Sequence, residues 1–71
     1  MQGKRIRSEE IKNRQDRRIG TLVVESSLAS GYNISIYQNT EGGHVLKSYK
    51  IGLSAKEIEI EILKAPLICE R

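Results

Sequence analysis

The stretch YNISIYQNTEGGHVLKSYKI, residues 32–51, constrains the fold more than any other part of the chain. Apolar and polar residues alternate on both sides of a Gly-Gly pair, the period of a half-buried strand repeated around a turn. With Glu41-Gly42 as a two-residue loop, Thr40 stands opposite Gly43, Gln38 opposite Val45, Ile36 opposite Lys47, Ile34 opposite Tyr49 and Tyr32 opposite Ile51. One sheet face then carries Tyr32, Ile34, Ile36, Val45, Tyr49 and Ile51, with the stem of Lys47 among them. The other carries Asn33, Ser35, Tyr37, His44, Leu46, Ser48 and Lys50. A slip of one residue would mix apolar with polar partners, which a half-buried sheet penalises. The β-branched run TLVVES (21–26) adds a flanking strand.

The segment after the hairpin, LSAKEIEIEILKAPLICER, carries two conflicting signals. Glu57 to Ile62 alternate with a period of two, which says strand. Ser54 and Glu57 form a capping-box pattern, and Leu53 and Ile58 occupy the matching hydrophobic-staple positions, which say helix. On a helix, Ala55, Ile58, Ile62, Ala65 and Cys69 share one face, and Ile60, Leu63 and Leu67 lie on the opposite one. Such a helix needs cover on both sides, as in a dimer. Pro66 is expected to end or break either element. The preferred reading is α+β, a three-stranded antiparallel sheet followed by a C-terminal helix (βββα). The alternative is a small all-β unit of four to five strands.

A chain of 71 residues makes one domain and buries a modest fraction of its surface. Small domains usually lean on disulfides, metal or a partner chain. One cysteine, Cys69, permits no internal disulfide, and one histidine, His44, is too few for a Cys/His zinc site. With no Trp and no Phe, the core must come from Ile, Leu and Val. Homo-oligomerisation is therefore expected, and no metal or cofactor is. A lone free cysteine suits a reducing, cytoplasmic setting. No apolar run is long enough to span a membrane, and the charged start lacks the apolar region of a secretory signal.

Charge is unevenly placed. Residues 1–18 hold seven basic and three acidic residues, a net +4, while residues 19–71 hold five basic and six acidic, a net −1. Residues 1–19 also lack an apolar stripe and read as a basic arm, flexible or with a short helix over 8–18, ahead of a single domain at 20–71. Clustered Lys and Arg neutralise phosphates and release counterions, so Lys4, Arg5, Arg7, Lys12, Arg14, Arg17 and Arg18 are candidate nucleic-acid contacts. Five of these seven are arginine, which forks onto phosphates and stacks on bases. Against that stand the interleaved Glu9, Glu10 and Asp16, which also suit a solvated tail.

On the polar face of the hairpin, Tyr37 stands among Asn33, Ser35, His44, Ser48 and Lys50. An exposed ring with hydrogen-bonding and basic neighbours is what a single-strand binding platform uses, so Tyr37 and Lys50 join the candidates. The plainer reading is a solvated face with one cross-strand tyrosine. In outline, an antiparallel sheet followed by a helix is similar to whirly-type single-strand binders, which are dimers; the likeness is of topology alone, and no motif of theirs matches.

Catalysis finds few residues. Cys69 would need His44 as its base, and Glu57, Glu59 and Glu61 look like a solvated face rather than a paired-carboxylate site. Gly42-Gly43 lack the Lys and Ser/Thr of a phosphate loop. The chain is therefore expected to be a small, non-enzymatic nucleic-acid-binding protein of regulatory or accessory type. The alternative is a protein–protein module or inhibitor that docks through Ile60, Leu63 and Leu67.

Overall fold

The computed structural model describes residues 5–27 and 29–70. Four strands, β1 (Arg5–Lys12), β2 (Arg18–Ser26), β3 (Tyr32–Thr40) and β4 (Gly43–Leu53), form one antiparallel sheet in the order β1-β2-β3-β4, followed by the helix α1 (Ala55–Cys69). The class is α+β. The sheet has four strands rather than three, because Arg5–Lys12, expected as an arm or part of a helix, pairs with β2. Lys4 lies outside the described residues.

β1 is a strand with one core side chain. Ile11 is buried opposite Gly20, and the rest of RIRSEEIK is polar or exposed. A charged edge strand of this kind resists pairing with other chains. Its turn is built by Asn13, whose side-chain Oδ1 accepts from the backbone N–H groups of Gln15 (2.9 Å) and Arg17 (3.0 Å). Asp16 takes φ +62°, a left-handed position that Asp and Asn tolerate better than most residues.

The β3–β4 turn is the expected one, with Thr40 opposite Gly43 and Gln38 opposite Val45. Farther from the turn the register departs from the straight ladder. Between Ile36 and Tyr37 it shifts by one residue on the β4 side, so Ile36 faces Ser48, Ser35 faces Tyr49 and Ile34 faces Lys50. A second shift places Leu53 opposite Tyr32. Each bulge moves the rest of the strand to the other face. Tyr49, expected in the core, therefore joins the face of Ser35 and Tyr37, while Lys50 crosses to the face of Ile34.

α1 lies across one side of the sheet. Ile11, Leu22, Val24, Ile34 and Ile36 meet Ile58, Ala65 and Cys69 in one core, with Tyr32, Leu53, Ile62 and Ile68 packed around it. The capping box is present: Ser54 Oγ accepts from Glu57 N–H (3.2 Å) and Glu57 Oε1 accepts from Ser54 N–H (3.0 Å). Pro66, expected to end the element, sits inside the helix. It removes the donor that Ile62 C=O would use and crowds that carbonyl, one turn from the helix end. Beyond it, Gln38 Nε2 donates to Cys69 C=O at 2.6 Å, and Cys69 Sγ packs close over Gly20. These contacts tie the last turn to the sheet.

The alternating run 57–62 resolves at a cost. On a helix, perfect alternation must turn one glutamate inward and one isoleucine outward. Glu61 is the buried carboxylate, held by Lys50 Nζ at 3.0 Å, and Ile60 is the exposed apolar residue. Among the described residues no helix is long and apolar enough to cross a membrane.

Candidate functional site

Among the described residues, no element covers the sheet face away from α1. At its centre the side chains of Arg5, Ser8, Thr21, Val23, Glu25, Ser35, Tyr37 and His44 line a shallow dish of ≈ 360 Å³. The register explains the grouping: Val23 faces Ser35 and Ser8, Thr21 faces Tyr37, Tyr37 faces Leu46, and Ser35 faces Tyr49. Tyr37 is half-buried and Tyr49 is 55% exposed, so two aromatic rings flank Ser35 on neighbouring strands. Sequence reasoning found Tyr37 and missed Tyr49, because nothing in HVLKSYKI marks where the ladder bulges.

The structure does not gather the basic residues of 5–18 on one face. Arg5 lies on the open face. Arg7 projects to the opposite side of β1, where its guanidinium hydrogen-bonds Glu9 and reaches Glu59 of α1 at 3.0 Å. Those two bonds, Glu9 first, raise the Arg7 pKa. Lys12 pairs with Asp16 at 3.6 Å and Arg18 with Glu10 at 2.6 Å. Arg14 and Arg17 stand exposed in the β1–β2 turn and form no ion pair among the described residues. Lys50 leaves the candidate site altogether, since it points at Glu61 on the helix side. Among the described residues Arg5, Arg14 and Arg17 form no ion pair within 4 Å, although Glu25 stands opposite Arg5 on β2.

Ile60, Leu63 and Leu67 do share the outer face of α1, and all three are exposed. Cys69 and His44 are not brought together. Cys69 is buried on the helix side, where loss of solvent raises its thiol pKa, and His44 is exposed on the open face. Among the described residues no three His, Cys, Asp or Glu side chains gather as metal ligands. No known protein family, curated protein or solved structure matches the chain.

Proposed function

We propose that the chain binds single-stranded nucleic acid across the open sheet face, without catalysis, as a regulatory or accessory protein. Tyr37 and Tyr49 stack on bases, Ser8, Thr21 and His44 offer hydrogen bonds at the base edges, and Arg5, Arg14 and Arg17 contact phosphates. The observation that supports this reading best is the pairing of two tyrosines around Ser35 on a face that no element covers among the described residues. Stacking on an aromatic ring contributes about 1–3 kcal/mol per base and tolerates any sequence.

Charge on this face is close to balanced, since Glu10 is held by Arg18 and Glu25 stands opposite Arg5. Binding is therefore led by stacking, and its salt dependence is shallow. Three arginine–phosphate contacts on a single strand give a log–log slope of about −2, whereas seven contacts from a free basic arm would give about −5. Titration of fluorescent single-stranded and duplex oligonucleotides at several salt concentrations tests both points. The expected result is preference for single strands, a slope near the smaller value, and loss of about tenfold or more in affinity for Tyr37→Ala and for Tyr49→Ala. Equal affinity of both variants and wild type would sink the proposal.

A further inference from the structure

We infer that the outer face of α1 is a self-pairing surface, on which a second copy of this chain docks with its own α1 antiparallel, about a two-fold axis near Leu63. Ile58, Glu61, Ala65 and Cys69 turn toward the sheet, so Ile60, Leu63 and Leu67 point away from it, and Leu63 is 80% exposed. This stripe continues at both ends into charge. Lys56 precedes it and Glu70 follows it, both exposed. Positions 56, 60, 63, 67 and 70 step by four, three, four and three residues, the spacing that holds a seam on one side of a helix pair.

The stripe reads positive, apolar, apolar, apolar, negative, and it is nearly symmetric about Leu63. A two-fold axis there sets Ile60 against Leu67 of the second copy, Leu63 against its own equivalent, and Lys56 against Glu70 at both ends. Parallel pairing would set like charges together, so charge complementarity selects the antiparallel arrangement and a copy of the same chain. Such an interface is isologous and closes at two chains. The sheet edges are poorer places to associate: β1 is charged, and the register of β4 shifts twice.

A helix of 15 residues spans about 22 Å at 1.5 Å per residue, and pairing along it buries several hundred Å² on each chain. That is the low end for specific interfaces, the size class in which weak, transient association is common. The pairing makes a four-layer particle, sheet–helix–helix–sheet, with the two open faces outward. It stands on the helix alone and is independent of what the open face binds.

Sedimentation equilibrium of the full chain from about 1 µM to about 1 mM tests the pairing. The expected result is a rise from one chain of 8.0 kDa to twice that mass. Leu63→Glu is expected to weaken association at least about a hundredfold with an unchanged circular dichroism spectrum. Lys56→Glu should weaken it about tenfold, and adding Glu70→Lys to that variant should restore it to within about threefold. Rescue by the double exchange supports this arrangement specifically, because only antiparallel copies bring positions 56 and 70 together. A single-chain mass throughout, a dimer insensitive to Leu63→Glu, or a double exchange as weak as Lys56→Glu alone would each overturn the inference.

Discussion

The ion pair between Lys50 and Glu61 is lopsided, and the two partners should respond oppositely to removal. The Glu61 side chain is 8% exposed and that of Lys50 is 48% exposed. Glu61 Oε2 accepts from Lys50 Nζ, while Oε1 is buried with no hydrogen-bond partner among the described residues. Lys50→Met leaves a carboxylate in the core with nothing to balance it. Breaking a fully buried pair in this way costs about 3–5 kcal/mol, and water reaching the site from the exposed lysine side reduces that to about 1–3 kcal/mol. Glu61→Leu keeps the volume, replaces a half-satisfied carboxylate with an apolar side chain, and leaves Lys50 free to turn into solvent. It should be neutral or stabilise by up to about 2 kcal/mol. In Lys50→Met/Glu61→Leu no charge remains to strand, so most of the loss seen with Lys50→Met should disappear. A chain of 71 residues has about 4–11 kcal/mol of total stability, so these changes are large on its scale. Urea unfolding followed by circular dichroism, at one fixed protein concentration, measures them as shifts in midpoint at constant slope. A destabilised Glu61→Leu, or a Lys50→Met within about 0.5 kcal/mol of wild type, would refute the argument that this pair is a burden on the core.

Two further outcomes follow from the helix ends. A Cβ at Gly20 would lie 2.2 Å from Tyr37 C=O and 2.6 Å from Cys69 Sγ, so Gly20→Ala should cost about 3 kcal/mol or more, whereas Gly42→Ala, with nothing within 4 Å, should stay within about 0.5 kcal/mol of wild type in the same unfolding assay. At the other end, the bond from Ser54 N–H lowers the Glu57 pKa. That contribution is complete above the ordinary carboxylate range and is lost as pH falls through the lowered value, so the stability difference between wild type and Glu57→Gln should shrink toward zero on acidification; a pH-independent difference in urea midpoint would contradict this.

The parts of the fold legible in the sequence are those set by neighbours along the chain. The Glu41-Gly42 turn, the Ser54/Glu57 cap and the outer stripe of α1 each depend on spacings of a few residues; the inner face differs from the expected one, with Glu61 buried on it and Ala55 exposed. β1 was hidden because RIRSEEIK contributes one core residue, Ile11, and becomes a strand by pairing with β2 rather than by its own pattern. A signal for its turn was present in KNRQDR: Asn13 and Asp16 are residue types that organise tight turns and accept left-handed backbone. The bulge that carries Tyr49 to the open face had no such marker. The straight register paired isoleucine with tyrosine equally well, and only the packed helix, with Lys50 drawn to Glu61, distinguishes the two. The candidate site was therefore half visible: Tyr37 and Arg5 could be named, but their assembly with Tyr49 depends on a long-range choice. The basic stretch could be counted from composition, yet which of its charges are already neutralised depends on where Glu9, Glu10 and Glu59 fall in space.

The order of the elements also bears on how the molecule is made. Every strand pairs with its neighbour in the chain, and the connections between strands are short. Each hairpin can close as soon as its second strand leaves the ribosome, with little loop-closure entropy to overcome. The helix that shields Leu22, Val24, Ile34 and Ile36 is translated after all four strands. A sheet that forms before the helix docks would expose that apolar side. In such a state the charged β1 edge and the interrupted β4 edge are the features that oppose addition of one sheet to the next.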